Sequence, residues 1–219
     1  MNIRLGIYEI FSRIVPGGVY IAAIVQLLVV LRVVTIDLKA LNDISLIASL
    51  GLAVAAYVVG GALNPFSLMW LRLFRIQGAS QSALNAFKKA HHDNWQIDWQ
   101  DQDSPILMAF LRTKNLELAG DIERQMAISI MMRNVSLGLG IMAVNFIVSY
   151  LVGRVMQDIF VAALLAIVSM LAMRESTTFR RWYYDALFQT TLAYRIDLEK
   201  LIKPKPGGMK HRHEDKQEM

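Results

Sequence analysis

The chain reads as an all-α membrane protein: four transmembrane helices, with a helical cytoplasmic bundle continuous with spans three and four. Three observations predict this class. Residues 14–31, 44–71, 134–153 and 159–173 carry no charged side chain, and all but the last window reach the roughly 18 residues a spanning helix needs. At 219 residues and 55% hydrophobic positions, with a mean hydropathy of +0.38, the chain is too apolar for an ordinary soluble domain and too short for a large transporter. The third observation is where the basic residues fall.

Lys and Arg number two before the first window, eight in residues 71–133 and ten after the fourth window, whereas the turns within each pair of windows hold only Arg32, Lys39 and Arg154. Cytoplasmic loops collect Lys and Arg, so both termini and the central segment are expected in the cytoplasm of a prokaryotic inner membrane. Anionic lipid head groups account for the net charge of +5, and no nucleic-acid partner is expected.

Residues 1–15 hold Ile3, Ile7, Ile10, Phe11 and Ile14 on one helical face, which predicts a short interfacial amphipathic helix. Arg4, Glu9 and Arg13 interrupt it, so it does not read as a cleaved signal. Pro16-Gly17-Gly18 predicts a break, and residues 16–71 form the first transmembrane hairpin, with Pro16 in the first turn of its helix. Ser45 is the expected N-cap of span two, Asn64-Pro65 its end, and Phe66 and Trp70 its interfacial anchors.

Residues 72–133 form the cytoplasmic segment. Ser80 is expected to cap a helix running to about His92, Ser104-Pro105 to start a second one, and Gly120 to interrupt that one before it continues into span three. Residues 134–174 form the second hairpin. Residues 175–202 extend span four as a helix whose Phe179, Trp182, Tyr183, Ala186, Leu187, Thr190 and Ala193 recur at helical spacing. Residues 203–219, with two prolines, two glycines and little apolar content, read as a disordered tail.

Catalytic signatures are not found. The absence of cysteine excludes thiol catalysis, disulfides and Cys-ligated metals. His91, His92 and Asp93 are the densest potential ligands, but adjacent histidines on a helix diverge by about 100° where i, i+4 spacing would converge. The following acidic run lacks the glycine and terminal Glu of a calcium loop. His211 and His213 lie in the tail with nothing to fix a geometry. No phosphate loop, zinc helix, nucleophile elbow or Arg–His nuclease pair occurs. The chain is therefore read as non-enzymatic, with no catalytic, cofactor or metal residue assigned.

Inside the spans no ionisable residue sits at mid-depth, which removes the proton carrier of a coupled transporter. Gln26, Tyr57 and Asn145 are candidates for joining helices or, in a channel, for lining a path. Ala56 and Gly60, Ser136 and Gly140, and Ala162 and Ala166 are small residues four apart that let helices approach closely, within one bundle or between subunits. Arg133, Arg180 and Arg181 belong where helices leave the inner membrane surface, as contacts for lipid or a partner. Trp95 and Trp99 either cap the cytoplasmic bundle or touch the membrane.

The opening YEIFSRIVPGGVY, residues 8–20, resembles a pattern of small, uncharacterised prokaryotic multi-pass membrane proteins, in which an aromatic-acidic pair and an apolar stretch precede a Pro-Gly. Some of these are linked to CRISPR or phage-defence loci. The resemblance implies a membrane component of a larger system that senses or perturbs the bilayer, and supplies no catalytic residue. The expectation is a homo-oligomeric scaffold, sensor or pore-type effector working with a cytoplasmic protein partner; a small channel or transporter is the alternative.

Overall fold

The computed structural model describes residues 3–35, 45–73, 78–90 and 104–194, which form seven helices and no strand. These are α1 (Ile3–Val30), α2 (Leu46–Ala62), α3 (Asn64–Leu73), α4 (Ala79–Ala90), α5 (Ser104–Lys114), α6 (Leu116–Gly153) and α7 (Met156–Ala193). Three of them are long and apolar enough to cross a membrane, and α2 with α3 makes a fourth if that pair, bent by 47°, is one span. The outer faces of α1, α2 and the apolar parts of α6 and α7 expose Ile24, Val54, Val58, Val144, Phe160, Leu164 and Ile167. Such a surface suits lipid and would be an aggregation hazard in water.

The expected break at Pro16-Gly17-Gly18 does not occur: α1 runs 28 residues with Pro16 inside it. A proline removes one helical hydrogen bond, and neighbouring helices in an apolar setting compensate. Here Pro16 is fully buried and Gly17 serves a different purpose. A Cβ on Gly17 would lie 1.7 Å from the Ala56 carbonyl oxygen, and one on Gly60 would lie 2.0 Å from that of Arg13. The missing side chains let α1 and α2 pack backbone to backbone. Ala56 and Gly60 are thus used up inside the chain.

α2 begins as expected, with Ser45 accepting from the Ala48 amide at 3.2 Å. After the bend, α3 leans along α6. Asn64 meets Arg133 and Asn134, while six residues on, Trp70 donates to the Ser136 hydroxyl at 3.3 Å and lies over Gly140. Trp70, expected as an interfacial anchor, is half-buried against α6.

α6 and α7 are continuous for 38 residues each. Their antiparallel seam is closed by reciprocal serine contacts. Ser129 and Ser176 each donate to the other's carbonyl at 2.8 Å. Seven residues along, Ser169 donates to the Ser136 carbonyl at 2.7 Å and the two hydroxyls stand 3.2 Å apart. Carrying this register seven residues each way aligns Ile122 with Tyr183 and Ala143 with Ala162, all buried. A seven-residue repeat keeps one face of each helix on its neighbour.

The charged ends of α6 and α7 join α4 and α5 around Ala83, Leu84, Phe87, Leu107, Met108, Leu111, Ile122, Tyr184, Leu187 and Phe188. Phe188 packs on Phe87 and Tyr184, with ring centres 5.8 and 6.3 Å away. Three expectations shift here. Gly120 lies inside α6, and the break falls at Asn115, whose side chain accepts from the Leu118 amide at 3.1 Å. Ser80 is buried in the first turn of α4 rather than preceding it. The buried face of α7 also turns slightly from its expected position, to Tyr183, Tyr184, Leu187, Phe188 and Thr191, leaving Trp182 half exposed against Phe179.

Candidate functional site

The densest polar chemistry lies where the uncharged stretches end. Asn64 and Pro65 open α3 immediately after the α2 cap, a position where proline's fixed backbone and missing donor are tolerated. The Ser67 hydroxyl folds back on the Asn64 carbonyl at 2.7 Å, which holds both side chains toward α6. Arg133 then donates Nε to the Ser67 hydroxyl at 3.0 Å and Nη2 to the Asn64 side-chain oxygen at 2.9 Å. Asn134 donates to the same oxygen at 3.3 Å. Arg133 is 7% exposed, so it is an interior cation rather than the surface contact expected from sequence.

Its partners are neutral. No carboxylate of the described residues pairs with Arg133; the recorded carboxylate pairs are Arg112 with Glu123 and Arg181 with Asp185. The charge acting on Arg133 is another guanidinium, Arg180, one turn beyond Ser176 on α7. Burying a lone cation is costly unless its hydrogen bonds are filled. Nη1 of Arg133 has no partner among the described residues.

On the other side of the network, an open cavity of about 1030 Å³ lies between the start of α1, the bend, α5 and α6. Arg13, Arg112 and Arg124 face it, with Glu123, Tyr8, Tyr183 and Asn134. Arg13 donates to the Tyr57 hydroxyl at 3.0 Å and lies 5.2 Å from its ring centre, while Arg124 covers Tyr8 at 4.8 Å. Asn134 is 2% exposed, and its side-chain oxygen is buried without a hydrogen bond. In the part of α7 beyond the apolar run, burial pushes the Tyr183 phenol above its ordinary pKa, opposed by a hydrogen bond with Ser104. The cavity is thus a basic vestibule able to accept an anionic group, with one unfilled acceptor at its floor.

The sequence-derived candidates are spread through the fold. Asn145 donates to the Ala23 carbonyl at 2.8 Å and Tyr57 is held by Arg13, so both join helices in the described geometry. The Gln26 amide is buried on α1 without a hydrogen bond. Ser136 and Gly140 face Trp70 and Ser169. Ala162 is buried and Ala166 borders an apolar groove between α6 and α7. Arg180 is half-buried beside Arg133, and exposed Arg181 lies 3.7 Å from Asp185. Trp95, Trp99 and all four histidines lie outside the described residues. Among the described residues no three His, Asp or Glu side chains gather as metal ligands would.

Sequence reading missed Asn64, Ser67 and Trp70 as partners of α6. The signal was partial: Asn64-Pro65 marks the bend, but nothing local says that it faces residues about 70 positions away. Neither a protein-family model nor a curated protein or solved structure matches this chain.

Proposed function

We propose that this chain is a non-enzymatic inner-membrane protein, basic end in the cytoplasm, that senses a ligand or partner at its junction vestibule and couples that event to its spans. The observation supporting this is the unbroken course of α6 and α7, 38 residues each, from the bundle core through the vestibule wall into the apolar layer. Two helices locked by hydrogen bonds at Ser129–Ser176 and Ser136–Ser169 move as one body, so displacement at one end is felt at the other. Allosteric coupling needs such a shared element biased from both sides. The small-residue pairs at Ala56 and Gly60 and at Ser136 and Gly140 are used within the chain, so an oligomer needs its own evidence.

The chain has no cysteine, which makes introduced thiols clean probes. Lys89→Cys is expected to react with an impermeant reagent only from the cytoplasmic side and Arg154→Cys only from the opposite side; the reverse pattern removes the orientation. Crosslinking Ala143→Cys to Ala162→Cys at the apolar end is expected to slow amide exchange at Leu111 and Leu187 in the bundle. Unchanged exchange there rejects the coupling. Crosslinks between copies through Arg154→Cys in membranes report on assembly, and flux through liposomes tests the channel alternative.

A further inference from the structure

A second, smaller cavity, distinct from the vestibule, borders Arg133. It measures about 20 Å³ and is bordered by Leu71, Ser129, Arg133, Ser176, Arg180 and the Gly78–Ala79 start of α4. This is room for one water-sized group. Its lining has one sign. Arg133 is buried, points two of its nitrogens at neutral oxygens and leaves Nη1 without a partner among the described residues. Arg180 adds a second guanidinium close enough to repel the first.

The third contribution is backbone. The 12-residue helix α4 starts at Ala79, so the amides of its first turn have no helical acceptor and the positive end of its dipole faces the same space. Two guanidiniums, one buried without a counter-charge, and a helix start converging on a single-oxygen cavity suit one chemistry. Guanidinium and helix N-terminus are both favoured partners of phosphate oxygen.

Depth narrows the source of that oxygen. Residues 134–153 and 159–173 are uncharged, and Ser129, Arg133, Ser176 and Arg180 lie within two turns of where those runs end on their helices. If the uncharged runs fill the hydrocarbon layer, the cavity sits at head-group level. The small volume admits a phosphoryl oxygen and leaves its ester substituents outside, as a lipid anchored in the bilayer requires.

The geometry points to a phosphate-binding site formed by Arg133, Arg180 and the first turn of α4, which takes one phosphoryl oxygen of an anionic phospholipid head group or of free phosphate. Occupancy supplies the negative charge missing at Arg133 and ties α4 to the α6–α7 seam beside the Ser129–Ser176 clasp. The reading rests on the helix junction alone, not on the sensor role.

The test uses the purified full chain in a neutral detergent, titrated with short-chain phosphatidylglycerol, short-chain phosphatidylcholine or inorganic phosphate while the thermal midpoint is followed. Phosphatidylglycerol is expected to raise the midpoint saturably and phosphatidylcholine to have no saturable effect. Stabilisation by inorganic phosphate equal to that of the lipid assigns the site to free phosphate; stabilisation by the lipid alone assigns it to the head group. Arg180→Gln, at the cavity edge, is expected to weaken the effect about tenfold, and Arg133→Lys, which keeps the charge but not the fork, to weaken it similarly. Arg181→Gln, on the exposed face, leaves it unchanged. Saturation in Arg180→Gln and Arg133→Lys at wild-type concentrations, with helicity intact by circular dichroism, overturns the site, as does the absence of saturable stabilisation by any probe in the folded wild-type protein.

Discussion

Ser129 and Ser176 each donate a hydroxyl to the other's backbone carbonyl at 2.8 Å, an exchange possible only where two helix backbones lie unusually close. Seven residues on, Ser169 donates to the Ser136 carbonyl and the two hydroxyls meet, and Trp70 adds its indole N–H to the Ser136 hydroxyl. Apolar side chains gain little by leaving lipid for a helix interface, so close van der Waals contact and interhelical hydrogen bonds drive association there.

Ser136 is fully buried at this layer, so size should matter more than polarity. Ser136→Ala removes the hydroxyl and is expected to cost about 0.6 kcal/mol, the average for such bonds between membrane helices. Ser136→Leu must displace Trp70 or part the seam and is expected to cost about 1–3 kcal/mol. Unfolding in increasing sodium dodecyl sulfate, followed by circular dichroism, measures both; equal costs would show that the backbones are not in close contact at this layer.

Gly17 and Gly18 are adjacent yet meet different surroundings. A Cβ at Gly17 collides with the Ala56 backbone at 1.7 Å, while one at Gly18 finds nothing within 4 Å. Gly17→Ala is therefore expected to separate α1 from α2 at a cost of about 2 kcal/mol or more. Gly18→Ala is expected to stabilise by a few tenths of a kcal/mol through helix propensity alone, about 1 kcal/mol at most. Thermal midpoints of the two variants in one detergent separate these outcomes.

These neighbours show what a sequence discloses and what it withholds. Uncharged windows are legible because a charge in hydrocarbon costs several kcal/mol wherever the chain folds, and Ser45 was readable as a cap because its bond is local. Pro16-Gly17-Gly18 reads as a break since each residue is a poor helix former in water, but tertiary contact reverses that: Gly17 admits α2, and burial holds the helix through the proline. Arg133 followed the same logic. At the end of an apolar window it resembles a residue snorkelling to head groups, and only the return of Asn64 and Ser67 across the bend brings it inside. The vestibule was invisible because Arg13, Arg112 and Arg124 come from three helices.

Asn115 marks the other local decision that sequence placed elsewhere. Gly120 is the stronger breaker by propensity, yet Asn115 adopts an extended backbone and accepts from the Leu118 amide at 3.1 Å, stopping α5 and starting α6. Asn115→Ala removes the cap and is expected to cost about 1 kcal/mol. Asn115→Asp keeps an acceptor, adds a negative charge at the helix start and is expected to be neutral or mildly stabilising. Amide exchange at Leu118 and Ala119 should quicken in the first variant and not in the second.

Asn145 decides between a joint and a path. Its side-chain amide donates to the Ala23 carbonyl at 2.8 Å and the residue is 4% exposed. That carbonyl belongs to α1, so the bond ties span one to α6 near mid-length. A leucine at this position forfeits the bond without creating a charge. As a joint, Asn145→Leu is expected to lower stability by about 0.6 kcal/mol, and by no more than about 1.7 kcal/mol, with solute flux through liposomes equal to wild type. A path-lining asparagine predicts the opposite signature, with flux changed at unaltered unfolding midpoint. Measuring both quantities on one preparation distinguishes the two roles, because loss of folded protein would lower any flux in proportion to the folded fraction and leave the rate per folded molecule untouched.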